Sequence, residues 1–511
     1  MKKLLLLFVI VLYTPVIALA QANVGVPVCG TATDSSTKYI PSDWATFTPP
    51  AKGGSYVDTS GGVPFGCRIT RLTNAGSDIG AGAYITLYYD TVIPFSADNK
   101  LIMVYPSSGS KYIIQNPYLT GQNGTAVPAG NMPSLSYSTP PMWDRTQPEM
   151  FYYTTGTQLR SGTVTGTPEC FATNNCTVTT ALVHDFTGTF SQVGMMDETS
   201  ESVDGDHILM EGLDGSNFQH VFVWSLSGAN INSNYTSTCT GSLPANNGCL
   251  HKMQIGGDNN PVILPSSSEF VWNGSTSICL QGSCGGGAYT SHGATGRDLS
   301  GNPVWLSIVG TDNLGSQTNP CGVYTNIAVV NTNSPLSPTN CLIYNQPQWH
   351  IGYDGSAAQP WVFITPFQEG APFYYGNSGS YTAPIPGNWS IYNGEFVWMR
   401  IDTHYAGGVN AKVIRLAQTR NRSNGSNQGF WNSTYGALSM DGLYAVFTSN
   451  MAFGNVGCSG AGPDGGCADL YLVSNPAMSS FRTTGAPLFS GSGPPPSQVP
   501  NPPTNVTLTV M

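Results

Sequence analysis

The sequence predicts an all-β fold, and three observations lead there. Charge is scarce: 18 Lys+Arg and 28 Asp+Glu make up 9 % of 511 residues, against roughly 25 % in an average soluble domain. Long solvated helices and coiled coils need Glu, Lys and Arg in numbers that this chain lacks. Turn formers are abundant, with 60 Gly and 37 Pro, yet their share stays below the roughly 25–30 % that marks low complexity. The 20 Phe, 25 Tyr and 10 Trp are enough to bury a sizeable core. The third observation is a repeat, in which Asp or Asn in a tight turn is followed by a short apolar alternation, the pattern of a turn feeding a strand.

From the N-terminus, Lys2 and Lys3 precede an apolar run from Leu4 to Tyr13, and Ala18-Leu19-Ala20 offers small residues for cleavage. This is the anatomy of a signal peptide over residues 1–20, too short for a comfortable membrane span. The mature chain is expected to be exported, without a membrane span and monomeric. Residues 21–60 read as an extension leading into the first repeat.

The repeat occupies residues 61–485. Its best copies are Ser202-Val203-Asp204-Gly205 leading to Ile208-Leu209-Met210, and Ser439-Met440-Asp441-Gly442 leading to Tyr444-Ala445-Val446-Phe447. Ser96-Ala97-Asp98-Asn99 and Asp298-Leu299-Ser300-Gly301 follow closely, and weaker copies start at Asp144, Asp354 and Asn393. Successive turns are 46, 60, 94, 56, 39 and 48 residues apart. A period near 40–60 in an all-β chain points to a β-propeller with one four-stranded blade per repeat. Seven blades fit best, and six or eight also fit. The 94-residue step has room for a further blade around Pro261-Val262-Ile263-Leu264 and Phe270-Val271-Trp272, or for long insertions. Residues 486–511 differ in kind. Gly493–Pro503 (GPPPSQVPNPP) is an extended proline-rich spacer, and Thr504–Val510 alternates like one strand, similar to the opening of a fibronectin type III domain.

Twelve cysteines suit an oxidising compartment. Cys170/Cys176, Cys239/Cys249, Cys279/Cys284, Cys321/Cys341 and Cys458/Cys467 lie close in sequence, which favours staples within hairpins, and Cys29/Cys67 are left over. Zinc knuckles would need paired C-x2-C spacings, and there are none.

The segment Tyr435–Asn450, with its Ser439-Met440-Asp441-Gly442 turn and Phe447-Thr448-Ser449, resembles the S-x-D-G-x-x-x-x-F-T-S blade strand of TolB-like, WD-like propellers. With Arg415-Leu416-Ala417 upstream it also resembles the propellers related to oligogalacturonate lyases. The resemblance covers roughly residues 60–480 as a blade pattern. It implies a propeller, and for the lyases a divalent metal held by three His and a Gln, of which Q-x-x-H-x-H precedes the S-x-D-G strand. Those positions here are Phe430, Ser433 and Tyr435, so the metal-ligand motif is not preserved.

Three of the seven His, His292, His350 and His404, stand near blade turns where side chains can converge on a central channel as bases or ligands. Arg400, Lys412, Arg415, Arg420 and Arg422 fall within 23 residues, beside Trp398, Tyr405 and Trp431. Guanidinium groups beside aromatic faces suit an acidic sugar: Arg takes the carboxylate and the ring takes the apolar sugar face. The same residues also fit a long solvated hairpin. Asp197, Glu201, Asp204 and Asp206 could hold Ca2+ or line a solvated loop. Mn2+ is the other divalent cation to consider, and no cofactor is otherwise indicated. A sequence pI near 5.0 gives the wrong sign of field for nucleic acid. Two functions are therefore expected. The first is a glycan- or protein-binding module at the cell exterior. The second is a lyase on uronate-rich polysaccharide with His292, His350, His404, Arg420 and Tyr435 as its catalytic set and Arg400, Lys412, Arg415, Trp398 and Trp431 binding substrate.

Overall fold

The computed structural model describes most residues from 29 to 474; 120–139, 166–176, 310–325, 366–391, 402–412, 422–433 and 452–467 are the longer stretches it leaves out, with 1–28 and 475–511. The described residues form seven antiparallel sheets, six of four or five strands and one of three. The first comprises Ile85–Thr86, Leu101–Pro106 and Tyr112–Gln115. The second runs Met142–Trp143, Met150–Thr155, Gln158–Thr165 and Thr177–Asp185, and the third Gln192–Met195, His207–Leu213, Phe218–Ser225 and Asn230–Thr240. The fourth holds Leu250–Ile255, Pro261–Pro265, Phe270–Trp272 and Ser277–Cys279. The fifth holds Tyr289–Arg297, Pro303–Val309, Asn326–Asn331 and Asn340–Cys341.

From the second to the seventh, each sheet meets the next chiefly through its first or second strand. The first packs on the second through Leu101, Met103, Trp143 and Phe151, and Ile85–Thr86 of the first sheet approaches the seventh. The sheets therefore close into a ring, and the first strands lie innermost. Six complete blades, or seven counted with the three-stranded sheet, fall within the range expected from the repeat. The blade around Pro261 and Phe270 is present. Burial follows position in the blade. Phe218–Ser225, third of four, is covered along nearly its whole length, whereas the outer Asn230–Thr240 alternates, turning Ser233, Ser237 and Cys239 inward and Asn and Thr outward. A strand packed on both faces reads as an apolar run, and one at the rim alternates.

The last two sheets borrow strands from the N-terminal segment. The sixth is His350–Gly352, Trp361–Thr365, Glu395–Arg400 and Val413–Gln418, with Thr31–Ala32 paired outside it. The seventh is Gly436–Leu438, Tyr444–Ser449 and Asp469–Ser474, completed by Arg68–Arg71 and Ser55–Val57. Thr31–Ala32 and Ser55–Val57, both before residue 61, are thus strands of the last two blades. Cys29 and Cys67 form a disulfide, which joins the strand on the sixth sheet to the strands in the seventh. Cys239, Cys279 and Cys341 are also disulfide-bonded; Cys170, Cys176, Cys249, Cys284, Cys321, Cys458 and Cys467 lie outside the described residues.

Candidate functional site

The repeat turns connect the first and second strands of successive sheets, and the S-x-D-G pattern has a physical basis there. Ser96 Oγ accepts the Leu101 N–H at 3.1 Å and donates to Asp98 Oδ1 at 2.8 Å, which also accepts the Lys100 N–H. In the third sheet Ser202 Oγ accepts the His207 N–H at 3.0 Å and donates to Asp204 Oδ1, which accepts the Asp206 N–H. Ser439 Oγ accepts the Tyr444 N–H at 3.0 Å. The residue after each acid is left-handed, with φ 62° at Asn99, 71° at Gly205 and 65° at Asn259, the conformation that Asn and Gly tolerate best. Asp258-Asn259 is the fourth sheet's copy of this turn and the one hidden in the 94-residue step. Asn393, counted as the turn residue of a copy, lies outside the described residues.

The acidic cluster is built into these turns. Asp144 Oδ1 accepts the N–H groups of Thr146 and Gln147, and its Oδ2 accepts the Tyr152 hydroxyl at 2.8 Å. Glu201, buried, accepts the Arg145 N–H with both oxygens, at 3.0 and 3.2 Å. Burial, and then the nearby Asp144 carboxylate, push the Glu201 carboxyl well up. Burial also pushes Asp204 up, but hydrogen bonds from His207, Ser202, the Asp206 N–H and Asn259 outweigh it and hold Asp204 below the usual carboxylate range. His207 Nδ1 lies 3.3 Å from Asp204 Oδ1, and that bond raises the His207 pKa. Asn259 Nδ2 donates to Asp204 Oδ2 at 2.9 Å, joining the third sheet to the fourth. Asp206 faces away, accepting from Ser225 and Ser227.

Of the residues expected as a possible Ca2+ site, Glu201, Asp204 and Asp206 are each engaged by different protein donors, and Asp197 lies outside the described residues. Among the described residues, no three His, Cys, Asp or Glu side chains come together as a metal site would require.

Of the basic cluster, Arg415 and Arg420 are both fully buried. Arg415 pairs bidentately with Glu395, donates to Thr37 O at 2.9 Å, and has its guanidinium over the rings of Tyr39 (4.3 Å) and Tyr392 (4.8 Å). Burial lifts the Glu395 carboxyl to about 7 against the pull of Arg415. Arg420 donates to Asp58 Oδ1 at 2.8 Å and to Ser60, stands over Phe47 at 4.3 Å, and keeps a left-handed backbone with φ 45°. Asp58 Oδ2 in turn accepts the Gln418 N–H at 2.7 Å. A third pair, Arg71 with Asp469 at 2.5 Å, joins the N-terminal strand to the last one; Asp469 Oδ1 also accepts from Thr73 and the Ala75 N–H. All three pairs lie where the ring closes.

Tyr435 and Trp398 are also fully buried, and Arg400 ends the strand Glu395–Arg400. His292 lies in the innermost strand of the fifth sheet and His350 opens that of the sixth; these two strands adjoin. His404, Lys412, Trp431, Phe430 and Ser433 lie outside the described residues. The carboxylates that hold the guanidinium groups, Asp58, Glu395 and Asp469, were missed. The one signal in their favour was an acid standing alone beside apolar strand residues, as in Glu395-Phe396-Val397-Trp398.

No family model and no curated protein matches the chain. Solved structures do. An oligogalacturonate lyase in complex with manganese aligns over 82 % of this chain and 95 % of its own at 11 % identity, with a TM-score of 0.47. An oligogalacturonate lyase from Vibrio parahaemolyticus aligns over 82 % and 96 % at 10 % identity and 0.47. TolB from Acinetobacter baumannii aligns over 67 % and 65 % at 13 % identity and 0.28. The similarity is one of β-propeller architecture.

Proposed function

We propose that this chain is a secreted β-propeller that serves as a binding module for a glycan or a protein at the cell exterior. The observation that carries this reading is the use made of Arg415 and Arg420. The two cations best suited to a uronate carboxylate already hold Glu395 and Asp58, so a substrate would have to displace a buried carboxylate to reach them. Tyr435, the other non-His member of the expected catalytic set beside Arg420, is enclosed as well. The Cys29–Cys67 bridge suits an oxidising compartment.

Elimination on uronate chains is the second reading, and it draws support from His292 and His350 on adjoining innermost strands. One experiment separates the two. The exported protein is passed over immobilised acidic and neutral polysaccharides and extracellular proteins, and its reaction with acidic polysaccharides is followed by absorbance of unsaturated uronate, with and without Mn2+ or Ca2+. Saturable retention without new absorbance is the expected result. Absorbance that grows with time and is lost in His292→Ala or His350→Ala would replace binding with catalysis.

A further inference from the structure

One apolar groove lies between the first two blades and takes no part in the reading above. It is shallow and lined by Leu87, Tyr88, Val92, Pro94, Met103, Val104, Tyr105, Pro140 and Pro141. Its floor is the strand Leu101–Pro106. One wall is the connection after Ile85–Thr86, and the other is the Pro140-Pro141 entry to the second blade. Tyr88 and Tyr105 meet edge to face at 5.0 Å and are half-buried. The Trp143 indole donates to Pro94 O at 2.7 Å and holds the two walls together.

A sugar would find few polar partners here. A polyproline II helix asks for aromatic and proline surfaces that its rings can pack between, and it is pre-formed, so little entropy is lost on docking. This chain carries such a segment in Gly493–Pro503 (GPPPSQVPNPP), which has no charged residue and lies outside the described residues. We propose that Gly493–Pro503 docks in the Tyr88–Tyr105 groove of its own propeller. The path is short. The last described strand, Asp469–Ser474, belongs to the seventh sheet, and that sheet adjoins the first: the Ile85 N–H donates to Ala468 O at 2.9 Å, and Thr86 Oγ1 meets Thr448 Oγ1 at 3.0 Å. Residues 475–492 can span roughly 60 Å when extended, ample for a segment that starts one blade away.

The test uses the full chain carrying Pro494→Ser, Pro495→Ser, Pro496→Ser, Pro502→Ser and Pro503→Ser, which leaves the propeller untouched, and a synthetic peptide of residues 493–503. The peptide should bind this tail variant one to one. A tethered segment has an effective concentration on the order of millimolar, so a peptide that binds the tail variant at about 10 μM should bind the unaltered chain about 100-fold more weakly. Tyr105→Ala in the tail variant should abolish binding. Tyr88→Ser, in the connection rather than a strand, is the second probe should Tyr105→Ala lower the unfolding temperature. The proposal is overturned if the peptide fails to bind the tail variant, binds it and the unaltered chain equally, or ignores both Tyr substitutions. Concentration-dependent dimers of the unaltered chain that the tail substitutions abolish would also overturn it, since the segment would then belong to a second copy.

Discussion

The closing seam and the inner turns of the second to fourth blades handle buried charge in opposite ways. At the seam, Arg71, Arg415 and Arg420 each face a buried carboxylate: the Arg71–Asp469 and Arg420–Asp58 pairs tie the N-terminal segment to the last two blades, and Arg415, paired with Glu395 inside the sixth sheet, reaches that segment through Thr37 O. At the inner turns Asp144 and Glu201 are just as buried, yet backbone N–H and hydroxyl groups donate to them. The turns are local, so the chain can satisfy a carboxylate with its own next residues. The seam joins segments nearly four hundred residues apart, where Arg71 gives two N–H groups to one oxygen of Asp469 and Arg420 reaches both Asp58 and Ser60, contacts that also fix alignment.

Four measurements would sharpen or break that contrast. The largest loss should come from Asp469→Ala, which leaves Arg71 buried and uncompensated. About 3–5 kcal/mol is expected, read as a lower denaturant midpoint, and a loss below 1 kcal/mol would remove the seam's special status. Replacing both Cys29 and Cys67 by Ser should lower stability by about 2–4 kcal/mol, with the difference from the parent vanishing under reducing conditions.

Asp144→Ala strands Tyr152, Thr146 and Gln147 donors at once and should lower stability by about 1–3 kcal/mol, visible as a fall in unfolding temperature with the seam intact. The smallest effect is pH-dependent. The His207 pKa is raised above its ordinary 6.5, chiefly by the bond to Asp204. Its stabilisation is therefore full below about pH 6.5 and lost as pH rises through the folded value. His207→Gln should cost about 1 kcal/mol at pH 5.5 and almost nothing at pH 9. An equal effect at both pH values would show that charge on His207 plays no part. Asp204, held below 3.8, adds stability above that pH, which fades only in stronger acid.

The sequence made the blades legible because their turns are written in neighbouring residues. Ser96, Ser202 and the acids two positions on carry a hydrogen-bonding pattern complete within a few residues. Asp258-Asn259-Asn260 forms the same kind of turn without a serine two positions before the acid, a signal the repeat pattern did not include. The cationic cluster was visible, but its meaning was not. Whether Arg415 meets a substrate or Glu395 depends on strand pairing, and its Tyr39 and Thr37 contacts come from a segment that local reading treated as a leader into the fold. Arg420 depends in the same way on Asp58 and Ser60. His292 and His350, expected near the channel from their context, belong to adjoining strands.

The order of strands in the closing blade has a consequence for how the protein is made. Arg68–Arg71 is synthesised early but pairs with Asp469–Ser474, 398 residues later at the Arg71–Asp469 bond. Until that last strand exists the ring is an open arc with uncovered strand edges, the kind of surface that recruits other chains. Contacts at such separation form slowly, so the finished protein is most exposed to misassembly just before completion. Damage beyond Ser449 would therefore be felt at the other end of the chain, where Ser55–Val57 and Arg68–Arg71 would lose the strand that seats them.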